Sequence, residues 1–401
     1  MISRTTGLLL NIAHALDHLF LLIFATAVTA IAVDFGIARW EDLMPYGAGA
    51  FALFGLGALP AGRLGDLWGR RRMMLVFFFG TGAAALLAAS VQGPWQLAAA
   101  LTLLGAFTAI YHPVGIPMLV RHATRPGLTI GINGLAGNLG VALSALATGV
   151  LVKYAGWRAA FVVPGLVCIA CGLLFLRAAA PETLPPARRA AQDAAPDGAF
   201  ARLFAIMTVA SITASLLFNL TTNGNGELLR DRLAGIVEDP AMLGALLAAV
   251  YAIGSVTQIL VGNLIDRVPL KYLYAGIVAL QAPLFAFAAT ANGWTFYALM
   301  IGFMIVIFGA IPFTDAMIVR YVDDSHRSRV SGMRLTVSWG VAAFAVWVLG
   351  PLVKAGGFRT LLLVLAATAA CTLLAVLFLP RPGARGGLSP DAPPESPRAA
   401  D

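Results

Sequence analysis

The chain has 401 residues, 59% of them hydrophobic and 11% charged, with a formal net charge of +8. Soluble domains run about 45–50% apolar and about 25% charged, so this composition excludes one. The basic excess does not mark a nucleic-acid binder, because its positions follow the two sides of a membrane.

Runs of about 20 apolar residues, the length that crosses a ~30 Å hydrocarbon core, recur along the chain. Twelve are read, at 7–33, 44–62, 73–91, 96–120, 128–151, 158–177, 202–224, 241–263, 272–291, 295–319, 329–351 and 359–380. The first is too long for a cleavable signal peptide and is read as a span. With a cytoplasmic N-terminus, only Arg39, Lys153, Arg158, Arg230, Arg232, Lys354 and Arg359 face outward. The other twenty of the 27 Lys and Arg face inward. That asymmetry is the positive-inside rule, and it predicts both termini in the cytoplasm of a bacterial-type inner membrane.

The first span carries Asn11, His14, Asp17 and His18, which fall on one face of a 3.6-period helix. At 1.5 Å per residue Asp17 lies ~15 Å in, near mid-bilayer. A charge there costs roughly 2.5–3.5 kcal/mol on insertion scales, so such groups face a cavity or each other. An Asp beside two imidazoles is a candidate proton relay, and Asp17, His14 and His18 are assigned to proton coupling. The competing reading is a self-satisfied cluster tying this helix to a neighbour.

Between spans 2 and 3 stands Gly62-Arg63-Leu64-Gly65-Asp66-Leu67-Trp68-Gly69-Arg70-Arg71-Arg72. Two hundred positions later Gly262-Asn263-Leu264-Ile265-Asp266-Arg267 repeats Gly62, Leu64 and Asp66. The run Gly62, Asp66, Gly69, Arg70 and Arg71 resembles the loop signature of the major facilitator superfamily. The resemblance covers residues 7 to 380. It implies an all-α membrane protein with twelve transmembrane helices in two pseudo-symmetric six-helix bundles. It also implies a gating network of Asp66, Arg70 and Arg71, with Arg121 as an added partner and a weaker copy at Asp266 and Arg267.

Span 4 ends Tyr111-His112-Pro113, where the proline permits a kink and His112 is either a cavity ligand or a structural partner of the loosened carbonyl. The string is similar to an element of fosmidomycin-resistance-type facilitators. Span 5 spaces Gly131, Gly134, Gly137 and Gly140 three apart, which suits close helix packing, with Asn133 and Asn138 as substrate candidates. The superfamily's antiporters carry a Gly-Pro pair here, whereas Gly137 precedes Asn138. The family's coupling Arg of helix 4 is also missing, since Leu101 occupies its place four residues before Gly105. Cys168 and Cys171 form a C-x-x-C string inside span 6, without neighbouring ligands, and are read as packing.

The expected organisation is an N-terminal bundle at 1–178, a cytoplasmic linker at 179–200, a C-terminal bundle at 201–380 and a disordered tail at 381–401. Span 7 ends in the polar run Asn219 to Glu227, either lining a cavity or fraying. Asn219, with Tyr251 and Gln258 of span 8, is a substrate candidate, as is Asn11. Asp315 and Arg334 both lie ~6 Å from the cytoplasmic interface and are expected to pair, either as a purely structural ion pair or with Asp315 as gate and Arg334 as an anion contact.

A membrane enzyme acting on lipid is the competing class, but no H-x-x-x-x-D, H-E-x-x-H or Cys/His ligand set is recognised. With no P-loop, transport is expected to be secondary and driven by protons. The expected cargo is a small organic solute, anionic or polar neutral, with efflux placed ahead of uptake by proton symport. The chain is expected to be a monomer in the lipid bilayer, with no cofactor, metal or nucleic acid.

Overall fold

The computed structural model describes residues 3–121, 123–180, 198–265, 267–321 and 324–379, most with their side chains. All regular structure among them is helical. Among the described residues, eleven helices are long and apolar enough to cross a membrane. The last of these, Thr336–Leu377, has 42 residues. At 1.5 Å per residue it would reach ~63 Å, about twice a hydrocarbon core. It breaks at Gly357, whose φ of 68° and ψ of 178° suit glycine alone. Two crossings result, and the total is the twelve read from the apolar runs.

In chain order these are α1 (Arg4–Asp34), α2 (Ala48–Trp68), α3 (Arg70–Ser90), α4 (Pro94–Thr108, continued by Ile116–Val120), α5 (Pro126–Ala155) and α6 (Trp157–Ala178). The second set is α7 (Gly198–Arg232), α8 (Pro240–Ile265), α9 (Leu270–Ala279, continued by Gln281–Ala288) and α10 (Gly293–Tyr321). It ends with α11 and α12, the parts of Asp324–Leu377 before and after Gly357.

Two details differ from the sequence reading. The seventh helix begins at Gly198, inside the expected linker. It also runs without a break through the polar segment to Arg232, so Asn219–Glu227 neither frays nor unwinds. The reason is local. Asn219 Nδ2 donates to Ser215 O, Thr221 to Leu217 O, Thr222 to Phe218 O and Asn223 Nδ2 to Asn219 O. Polar side chains that bond back one turn need no water, and all four are buried.

Packing is closest where glycines meet backbone. A Cβ on Gly140 would lie 2.1 Å from Ala15 O, which seats α5 against α1, and one on Gly105 would lie 2.0 Å from Ala50 O, which seats α4 against α2. Of the span 5 glycines, Gly131 and Gly134 face open space instead. Between the halves, α5 packs on α8 and α2 on α11. There a Cβ on Gly149 would meet Pro240 O at 2.5 Å, and one on Gly350 would meet Glu41 O at 2.1 Å. Small residues let backbones approach where lipid gives no hydrophobic drive.

The duplication shows in the caps as well. Arg71 donates to Ala179 O and Leu176 O, both at 2.7 Å, at the end of α6. Lys271, two hundred positions on, donates to Leu379 O at 2.6 Å beyond α12. Cations at a helix C-terminus satisfy its orphan carbonyls and complement its dipole.

Candidate functional site

The α1 face assembles as its period requires, and α4 completes it. Pro113 lacks the N–H that would bond Ala109 O, and the chain answers with a wide π turn over Tyr111–Gly115. That turn brings Tyr111 and His112 against α1. Tyr111 stacks on His14 with ring centroids 4.8 Å apart, and His112 stands edge-on to His14 at 5.1 Å and to His18 at 5.6 Å.

Hydrogen bonds fix the rest. His14 Nδ1 is 2.7 Å from Asn133 O, and His14 Nε2 is 3.2 Å from His18 Nε2. Asn133 Nδ2 donates to Asn11 Oδ1 at 2.9 Å and to the Tyr111 hydroxyl at 2.6 Å. Gly137 leaves room for the imidazoles, since a Cβ there would stand 2.7 Å from the His14 ring. Asp17 is fully buried at the centre. His112 Nε2 is 3.3 Å from Asp17 Oδ2, within ion-pair distance but not aligned as a hydrogen bond, and neither Asp17 oxygen has a hydrogen-bond partner. Burying an unpartnered carboxylate is costly, so this one is held as the neutral acid or against a cation.

Beside the cluster, Phe54 of α2 and Trp339 of α11 meet at a 57° tilt with ring centroids 4.2 Å apart, and both rings approach His112. Nearby, Leu59 of α2 meets second-half residues, among them Val337 of α11, around a cavity of about 550 Å³ whose lining otherwise comes from the second half. Phe204, Met207 and Ser211 of α7 form its far wall, with Arg334 at its polar edge. Arg334 Nη1 donates to Thr314 Oγ1 at 2.7 Å. The side chain of its expected partner, Asp315, lies outside the described residues, as does Asp266 altogether. The cavity sits toward the end of the molecule that carries the signature loop.

The opposite end is closed. Lys153 of α5 pairs with Asp239 just ahead of α8, and Lys354 of α11 pairs with Asp42 ahead of α2. The Lys153 bond, then the backbone N–H of Met242, holds the Asp239 carboxyl below its ordinary range. Deeper in, Asn138 Nδ2 donates to Gln258 Oε1 across the two halves.

The structure thus gathers Asn11, His14, Asp17, His18, His112 and Asn133 in one place. Asn138 and Gln258 meet each other at the contact between the halves. Tyr251 does not face the cavity: it is buried, with its hydroxyl donating to Thr222 O. Asn219 is buried and satisfied within its own helix. Among the gating residues, Asp66 is exposed and has no ion pair with a described residue, Arg70 donates to Pro117 O at 3.2 Å, and Arg121 and Arg267 are exposed. Cys168 is buried, with its thiol donating to Phe78 O, as packing requires.

Sequence reasoning did not identify Tyr111, Phe54 or the lysine–aspartate pairs. A doubled Lys-containing string at the ends of spans 5 and 11 was the available signal for the pairs. It also recognised no metal-ligand set, whereas His14, Asp17, His18 and His112 each offer one ligand atom within 4.8 Å of the others.

Residues 10–229, more than half the chain, match the Major Facilitator Superfamily. Over 135 residues the chain is 32% identical to the puromycin resistance protein pur8 of Streptomyces alboniger, covering 33% of this chain and 27% of that one. Over 189 residues it is 31% identical to a probable actinorhodin transporter of Streptomyces coelicolor, covering 44% and 31% respectively. The matched stretches span about a third of those relatives' length or less. A bacterial homologue of the human lysosomal transporter Spinster, inward-facing and occupied, superposes with a TM-score of 0.74 at 14% identity, over 93% of this chain and 95% of that one. A D-xylose-proton symporter superposes with a TM-score of 0.72 at 13% identity, over 93% and 96%. The chain belongs to the major facilitator superfamily and is an integral membrane protein.

Proposed function

We propose that this protein exports a small organic solute, anionic or polar neutral, across the bacterial inner membrane by proton-coupled alternating access. The observation that carries the reading is the cavity of about 550 Å³ at one end, set against paired closure at the other. With both termini cytoplasmic, this is the inward-facing state. Rocking of the 1–178 bundle against the 201–380 bundle, joined by 179–200, would expose the same walls to the far side.

Arg334 at the cavity edge favours an anionic or neutral cargo, since a lipophilic cation would need an unpaired carboxylate there. The relatives named for puromycin resistance and actinorhodin transport favour export. The fosmidomycin-resistance-type subgroup fits the Tyr111-His112-Pro113 turn. Uptake by symport is the second reading, favoured by Asn138 standing where antiporters carry proline.

Proton coupling falls to Asp17, with His14, His18 and His112 around it. Its buried carboxyl is able to hold a proton in one state and meet an imidazole in the other. In proteoliposomes, Asp17→Asn is expected to abolish transport driven by a pH gradient while sparing exchange of solute for solute. Normal accumulation by that variant would overturn the coupling role. An unchanged rate of pH-driven transport in the absence of the protein would overturn transport itself.

A further inference from the structure

The cluster on α1 and α4 has a geometry that proton transfer does not require. Two pairs of its atoms stand closer than the rest: His14 Nε2 and His18 Nε2 at 3.2 Å, and Asp17 Oδ2 and His112 Nε2 at 3.3 Å. Ligands on a tetrahedral Zn²⁺, with bonds of ~2.0–2.1 Å, stand ~3.3–3.4 Å from each other. Both pairs are therefore near the separation of two ligands sharing one ion, and all four atoms lie within 4.8 Å. A contraction of up to about 1.5 Å in the widest separation would close the set.

The proton position on His14 agrees, while His18 Nε2, which donates to His14 Nε2, would shift its proton to Nδ1 on taking an ion. Asn133 O only accepts, so His14 Nδ1 carries the proton and Nε2 presents its lone pair to the cluster. An outer hydrogen bond of this kind orients the histidines of metal sites and makes them better ligands. Asn133 is itself held by Asn11 and Tyr111, and Tyr111 stacks on the ring it orients. Asp17 adds a fully buried carboxylate with both oxygens unpartnered, the charge a cation would offset. His112 keeps part of its ring exposed while its Nε2 is buried against Asp17, so the ligand atom faces into the cluster.

We propose that His14, Asp17, His18 and His112 form a binding site for a divalent transition-metal ion of the Zn²⁺ type. Three imidazoles and one carboxylate suit Zn²⁺ and its neighbours, whereas Mg²⁺ and Ca²⁺ demand oxygen ligands. All four side chains belong to the first half, so the ion would staple α1 to the π turn of α4 without bridging the halves. The site shares Asp17 with the coupling role but rests on ligand geometry, and it stands if that role fails.

The test uses the whole protein in detergent, purified without a polyhistidine tag and titrated with Zn²⁺ by calorimetry. X-ray absorption at the zinc edge then reads the ligands. One ion per chain is expected, with three imidazoles and one oxygen at ~2.0–2.1 Å. His112→Gln and Asp17→Asn are each expected to weaken binding tenfold or more. A His122→Gln/His326→Gln double variant is expected to bind normally. His112→Gln alters a side chain about a third exposed, and its melting curve without metal is expected to match the wild type, which separates lost ligation from lost fold. No saturable binding, binding lost only in the His122/His326 variant, or equal competition by Mg²⁺ would each overturn the site. If the wild type binds no zinc while Asp17→Asn abolishes pH-driven transport, only the metal site fails. If zinc binds and Asp17→Asn transports normally, only the coupling role fails.

Discussion

Lys153 and Lys354 stand 201 positions apart and do the same thing from opposite halves, each reaching an aspartate that the other half supplies. One turn before each lies a glycine, Gly149 or Gly350, pressed against the partner half's backbone. Both ion pairs are more than a third exposed, so solvent screens their attraction and they hold the face only weakly. The glycine contacts therefore hold the face shut, and the lysines set its register.

Gly350→Val is expected to keep that face open, because the added Cβ would sit 2.1 Å from the Glu41 carbonyl, a rigid atom. Transport should fall at least tenfold. Spin labels at Val33 and Ile236, both exposed, should report a longer distance by pulsed electron resonance. An unchanged distance would show that the closure does not depend on this contact.

Charge changes at the same face should act more gently. Asp42→Asn is expected to shift the open population by no more than about fivefold, the equivalent of ~1 kcal/mol. The swap of Asp42→Lys with Lys354→Asp should restore it. Acid should loosen the other pair: the Asp239 carboxyl is depressed by Lys153, so its contribution is full at neutral pH and is lost as pH falls through the lowered value. Asp239→Asn should remove that acid step from the label distances. Its persistence would assign the step elsewhere.

At the other end, Asp66 has no ion-pair partner among the described residues in this state. Its role is expected when the cavity end closes. Asp66→Asn should slow transport while leaving ligand affinity within about twofold. If binding disappears and the label distances stay as they were, Asp66 does not gate.

Arg334 offers a direct test of cargo charge. In a thermal-shift screen, an organic anion at a hundred times its dissociation constant should stabilise the protein by roughly 2.7 kcal/mol. Arg334→Ala should weaken that shift. Stabilisation by lipophilic cations alone, strengthened in Arg334→Ala, would reverse the proposed preference.

Much of this architecture was legible because it is periodic. Apolar runs gave twelve spans, and a 3.6-residue period put Asn11, His14, Asp17 and His18 on one face. His112 and Asn133 were named as candidates, yet their meeting with that face depends on a π turn and on glycine contacts that no local pattern encodes. Polarity misled in α7, where Asn219 to Asn223 satisfy themselves one turn back and have no need of a cavity. Tyr251 was misplaced for a related reason: its ring is buried and only its hydroxyl needed a partner, which Thr222 supplies. The signature loop points to Arg71 as a gate, whereas in this state its guanidinium serves the carbonyls of α6. The lysine–aspartate pairs were out of reach because each lysine's partner belongs to the other half.

Each half, taken alone, carries both a lysine near the end of its fifth helix and an aspartate ahead of its second. Two copies of one half, turned about an axis normal to the membrane, would satisfy both bridges at once. Such a patch is isologous: it is its own complement, like the contact surface of a symmetric dimer. The closed face of this single polypeptide is a homodimer interface in kind, with the connecting segment making permanent an encounter that the surface itself is shaped to make.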